Sequence, residues 1–136
     1  METPPDPQLA ATVQSYLRAI CAKNEQAWLA TFAADVVSHD PVGAPPAEGR
    51  ESLREVWAVL TGPFKKLSMV ERRSFYCGSG AAIHWAAHGL GINDRAVDFD
   101  GITVFEFTDD GRIQTAMSYW DPAAMMIDLA GEGNGR

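Results

Sequence analysis

The chain has little cysteine: Cys21 and Cys77 are the only two. They lack the short spacing of a metal site or redox pair, so both are expected to be ordinary, partly buried thiols. Basic residues are also scarce, with 11 Lys plus Arg against 18 Asp plus Glu and a formal charge of −7. That balance argues against a nucleic-acid partner, because cationic side chains supply most non-specific affinity for phosphates. No apolar run approaches the roughly 18 residues that a membrane-spanning helix needs. Met1 to Pro5 show neither the basic nor the apolar region of a secretory signal, so a cytoplasmic location without a membrane partner is expected. The three histidines, His39, His84 and His88, have no cluster of Cys or acids beside them, and no metal is expected.

What is present is enough for a core. A length of 136 residues with 46% hydrophobic content fits one domain, 1–136 with an ordered part over about 7–130, that needs no disulfide or metal. Asp6-Pro7 can cap and open a helix. Leu9, Val13, Tyr16, Leu17 and Ile20 then follow the 3.6-residue period, which puts Tyr16 on the apolar face. Asn24 caps a short second helix carrying Trp28, Leu29 and Phe32. Val36 to Asp40 reads as a short strand before Pro41, and Gly43 to Gly49 as a loop. Arg50 to Leu60 reads as a third helix with Leu53, Val56, Trp57 and Leu60 inward, stopped at Gly62-Pro63.

The remainder is strand-like: Leu67–Cys77, Ala81–Leu90, Ala96–Phe107 and Arg112–Trp120, separated by turns at Gly78-Ser79-Gly80, Asn93-Asp94 and Asp109-Asp110-Gly111. Asp121-Pro122 can open a terminal helix, and Gly131 to Arg136 reads as a frayed tail. Helices first and long strands after imply an α+β fold, with helices on one face of a mostly antiparallel sheet. Alternation assigns the faces. Val97, Phe99, Gly101, Thr103, Phe105 and Phe107 point toward the helices, whereas Asp98, Asp100, Ile102, Val104 and Glu106 point away. Likewise Ile83, Trp85, Ala87 and Gly89 share one face, and His84 and His88 the other. Gly89 on the inner face would widen a pocket. The outer face carries Ile102 and Val104, which suit a homodimer.

Three segments in this order carry a family likeness: Thr12-Val13-Gln14-Ser15-Tyr16, His39-Asp40-Pro41-Val42-Gly43, and Val104-Phe105-Glu106-Phe107-Thr108-Asp109-Asp110-Gly111-Arg112-Ile113. From about Val13 to about Asp121 the chain resembles bacterial Δ5-3-ketosteroid isomerase, within the nuclear transport factor 2-like superfamily. The resemblance implies a cone: a strongly curved sheet wrapped around three N-terminal helices, enclosing an apolar cavity. It implies Asp40 as general base, Tyr16 as oxyanion donor and Trp120 as an aromatic wall against base and substrate. It also shows a departure. The family's second oxyanion donor, a protonated Asp, falls on Thr103. Either Thr103 serves as a weaker auxiliary donor, or a bulge brings Asp98 or Asp100 inward. The tyrosines that support the first-helix Tyr in some relatives fall on Phe32 and Trp57.

Each of these residues has a plainer reading. Asp40 can simply open a turn before proline. Tyr16 can be a core tyrosine bonded to a backbone carbonyl, and Thr103 a core threonine. His39 alternates away from the pocket. Under the family reading, Val56, Trp85, Phe99 and Trp120 line the cavity and hold a bulky apolar ligand. The implied reaction is a shift of a C=C bond from Δ5 to Δ4 in a 3-oxosteroid, slowed by the loss of the second donor, with no cofactor. The rival readings are a non-catalytic binder of steroids or other apolar ligands, and a polyketide cyclase or epoxide hydrolase on the same fold.

Overall fold

The structure, a computed structural model, describes residues 6–131. The expected tail beyond Gly131 lies outside the described residues. Helix α1 spans Pro7–Ala22, capped by the Asp6 side chain, which accepts from the Gln8 N–H. Helix α2 spans Glu25–Leu29 and is capped by Asn24, whose side chain accepts from the Ala27 N–H. Strand β1 runs Phe32–His39 and β2 is the short Ala47–Glu48. A 3-10 turn at Arg50–Ser52 leads into α3, Leu53–Thr61, which Gly62 ends. Then come β3 (Phe64–Cys77), β4 (Gly80–Gly91), β5 (Ala96–Phe107), β6 (Ile113–Tyr119) and α4 (Pro122–Ala130). No described helix is long and apolar enough to cross a membrane.

One curved six-stranded sheet has the order β2-β1-β6-β5-β4-β3. All neighbours are antiparallel except β1 and β6, which run parallel, His39 pairing with Met117. The sequence reading ended α2 too late. Trp28, Leu29 and Phe32 keep helical spacing, but Phe32 already belongs to β1, where its side chain is buried just as well. The loop expected over Gly43 to Gly49 contains the two-residue β2.

The core lies between the helices and the sheet. Val13, Tyr16, Leu17 and Ile20 of α1 meet Trp28, Leu53, Leu60, Ile83 and Phe105 there. The face assignment of β5 holds: Val97, Thr103, Phe105 and Phe107 are buried, while Asp98, Asp100, Ile102, Val104 and Glu106 are exposed. The β4–β5 ladder runs without a register shift from Gly80 opposite Glu106 to Leu90 opposite Ala96. No bulge therefore turns Asp98 or Asp100 inward. They face outward and hydrogen-bond His88 and His84, at 2.5 and 2.8 Å. The cysteines also differ from expectation. Both are exposed, Cys21 at the edge where α1 meets β3, its sulfur accepting from the Met69 N–H at 3.4 Å, and Cys77 because it ends β3.

Candidate active site

Asp40 follows directly on β1, and Trp120 follows directly on β6. Because these strands are parallel neighbours, their ends lie side by side, which brings together residues 80 positions apart. The segment after Asp40 is tied to β6 by the Val42 N–H donating to the Ser118 carbonyl at 2.8 Å. The indole Nε1 of Trp120 donates to Oδ1 of Asp40 at 2.7 Å. Among the described residues Oδ2 has no hydrogen-bond partner. Burial raises the Asp40 pKa above the carboxylate's usual 3.8, and the Trp120 hydrogen bond opposes that rise by favouring the charged form.

Asp40 and Trp120 form one side of a cavity of about 200 Å³, and Glu55, Val56, Val59 and Leu60 of α3 form the other. Val56 is among these lining residues. Glu55, Val59 and Leu60 were missed as lining residues, although their spacing with Val56 on one helix face was the available signal. Trp120 was expected as an apolar wall. It also supplies a polar contact to Asp40, which its position after a strand does not reveal.

Trp85 and Phe99 stand behind Trp120, with ring centroids 6.1 and 5.4 Å from its ring. They back the cavity rather than line it. Gly101 makes this possible. A Cβ there would lie 2.6 Å from the Trp85 ring, 2.7 Å from the Tyr119 carbonyl oxygen and 2.8 Å from the Trp120 Cβ. Gly89 does not widen the cavity, because the Phe64 ring fills the space its side chain would take.

Thr103 points inward and is 2% exposed, but its hydroxyl is already engaged. It accepts from Trp85 Nε1 at 3.0 Å and shares a hydrogen bond of 2.9 Å with the Ser118 hydroxyl. It is not among the lining residues of the Asp40 cavity. Strand parity turns Thr103 inward, where its oxygen is held by Trp85 and either hydroxyl can be the donor in its bond with Ser118.

Tyr16 is 6% exposed and sits among Trp28, Phe32 and Phe105, at ring-centroid distances of 6.0, 6.0 and 5.2 Å. Among the described residues its hydroxyl makes no hydrogen bond to a backbone carbonyl. Burial raises its pKa strongly, and the charge of Asp40 raises it further. Tyr16 is not among the lining residues of the Asp40 cavity, and its phenol stays protonated at any ordinary pH. A neutral phenol can donate a hydrogen bond to an oxygen that gains negative charge.

Comparison with known proteins agrees with this architecture. Residues 13–116 match the family model of the SnoaL-like domain. A steroid Δ-isomerase from Nocardioides simplex is 27% identical over 123 residues, covering 90% of this chain and 98% of that protein. Among solved structures, Δ5-3-ketosteroid isomerase from a Mycobacterium species aligns with a TM-score of 0.71 at 22% identity. The alignment covers 84% of this chain and 93% of that one. A protein described as a SnoaL-like polyketide cyclase from Jannaschia sp. CCS1 aligns with a TM-score of 0.80 at 18% identity, covering 99% of both chains. At such identities the structural matches speak for the fold alone.

Proposed function

The chain belongs to the SnoaL-like domain family, in the nuclear transport factor 2-like superfamily, and on that premise we propose that it is a cofactor-independent isomerase. Its substrate in this reading is a 3-oxo-Δ5-steroid or a similarly bulky apolar ketone. The observation that carries the reading is the Asp40 carboxylate, held by Trp120 at an apolar cavity with one oxygen left unbonded. The steroid isomerase relative supports the same choice.

The chemistry follows from the groups present. Oδ2 of Asp40 removes a proton from the carbon between the ketone and the double bond. Electrons move into the carbonyl, giving a dienolate whose oxygen accepts a hydrogen bond from Tyr16. Asp40 then returns the proton two carbons away, and the double bond ends conjugated with the ketone. Proton transfer by a positioned group contributes roughly 10²–10⁴ in rate. The raised pKa of Asp40 makes it a stronger base than an exposed carboxylate, provided the working pH keeps it charged.

A cavity of about 200 Å³ is smaller than the usual range of roughly 300–1,000 Å³ for ligand sites. The ketone-bearing ring would occupy it, and the remaining rings would lie along Val56 and the exposed Val59. With Thr103 engaged elsewhere, Tyr16 is the principal donor, so turnover slower than with two donors is expected. The exposed Ile102 and Val104 of the outer sheet face suit a homodimer, which sedimentation would detect.

The test is turnover of 5-androstene-3,17-dione, followed by the ultraviolet absorbance of the conjugated enone. Activity lost in Asp40→Asn supports the proposal. Tight steroid binding without turnover would instead support a binding protein, the reading favoured by the engaged Thr103 hydroxyl.

A further inference from the structure

One donor deep in the core, the indole N–H of Trp28, lacks a hydrogen bond, and it neighbours Tyr16. Trp28 is 1% exposed, and its Nε1 has no partner among the described residues. Tyr16, itself 6% exposed, packs beside it. Their rings lie 6.0 Å apart at 44°. Buried polar groups are nearly always paired, so an orphan in a well-packed core calls for an explanation. Phe32 and Phe105, which also face the Tyr16 ring, carry no side-chain polar atom.

The chemistry of the two groups is complementary. An indole N–H only donates, while a phenol oxygen both donates and accepts. When Tyr16 gives its proton to an oxyanion, negative charge builds on its own oxygen. A donor facing that oxygen then gains most when the transition state forms. The Trp28 N–H does not reach hydrogen-bond geometry with the phenol, but its proximity opposes the rise in the Tyr16 pKa that burial and Asp40 produce.

We propose that Trp28 is a positioning residue for Tyr16, its indole N–H holding the phenol oxygen while Tyr16 donates to a ligand carbonyl. Trp28 acts through Tyr16 and does not touch the substrate. Trp57 and Phe32 also pack against it, with ring centroids at 5.1 and 4.8 Å. The inference rests on the carbonyl-binding role proposed for Tyr16.

The test is a double-mutant cycle with Trp28→Phe and Tyr16→Phe in the full chain, read on 5-androstene-3,17-dione turnover. Trp28→Phe is expected to lower kcat about tenfold with KM little changed, and to have little further effect once Tyr16→Phe is present. Equal losses from Trp28→Phe with and without Tyr16→Phe would overturn the proposal. So would an unchanged kcat with an equal or higher melting temperature, the signature of a removed orphan donor. If Trp28→Phe does not fold, benzothienylalanine at position 28 removes the N–H and keeps the indole shape. If the native chain shows no turnover, the isomerase reading fails by itself. The same cycle read on affinity for the ketone by calorimetry then decides the role of Trp28: coupled losses uphold it and additive losses overturn it.

Discussion

The indole N–H of Trp120 donates to Oδ1 of Asp40 at 2.7 Å, joining the ends of two parallel strands at the wall of a cavity. The bond does two things at once. It fixes the orientation of the carboxylate, and it offsets part of the penalty that burial places on the charge. Orientation and charge are the two properties a proton-shuttling base needs.

Removing that donor separates the two effects. Trp120→Phe keeps an aromatic ring against Phe99, with which Trp120 stacks at 5.4 Å, but deletes the N–H. The Asp40 pKa then rises further, so the acidic limb of the pH profile of kcat/KM moves to higher pH. The loss of activity is largest below that limb and smallest well above it. A profile measured on wild type and variant checks this; a limb that stays in place would show that the hydrogen bond does not tune the base.

Replacing the proposed base should trade stability against activity. The Asp40 pKa is raised above 3.8 in the folded state by burial, so the folded chain binds its proton more tightly than the unfolded chain. Its favourable contribution is complete below about pH 3.8 and is lost as pH rises through the raised folded value. At neutral pH the buried charge is therefore a cost. Asp40→Asn is expected to lower turnover by at least the roughly 10²–10⁴ of a general base, yet to melt at a higher temperature than wild type at pH 7. The gap should close toward pH 3.8. Calorimetric scans over a pH series decide it, and a variant that melts lower at pH 7 would contradict the assigned cost.

These contrasts show what the sequence carried. The faces of β4 and β5 were legible because alternation over twelve residues allows only one inward set, from Val97 to Phe107. The caps at Asp6, Asn24 and Asp121 were legible because short polar side chains satisfy helix N–H groups locally. The start of β1 was not, since Phe32 fits the helical period of Trp28 and the strand equally well. The parallel pairing of β1 with β6 was not either, because nothing local records which strands become neighbours. The meeting of Asp40 and Trp120 depends on that pairing, so only the family likeness placed them together. The engagement of Thr103 by Trp85 and Ser118 is likewise a long-range fact, invisible to parity.

Gly101 is expected to be intolerant of any side chain. An added Cβ meets the Tyr119 carbonyl oxygen at 2.7 Å and the Trp120 Cβ at 2.8 Å, neither of which is the free end of a flexible chain. Gly101→Ala should destabilise by about 1–3 kcal/mol, the usual penalty of overpacking. Because the strain falls on Trp120, activity should drop more than stability alone explains. Urea unfolding gives the first quantity. Turnover at a temperature where both proteins are fully folded gives the second.

Thr103 offers the sharpest separation of support from catalysis. Its oxygen accepts from Trp85 Nε1 and pairs with the Ser118 hydroxyl in a site with almost no solvent access. Thr103→Val preserves the shape and leaves the Trp85 N–H without a partner, so a destabilisation of about 1–3 kcal/mol is expected in urea. Thr103→Ser, which keeps the hydroxyl, should recover most of it. Turnover should respond differently. Losing an oxyanion donor costs roughly 10²–10³ in kcat, whereas Thr103→Val should lose far less, since its hydroxyl is directed at protein partners. A kcat loss of that full size in Thr103→Val, with Thr103→Ser active, would instead make the Thr103 proton part of the reaction and Ser118 the donor that frees it.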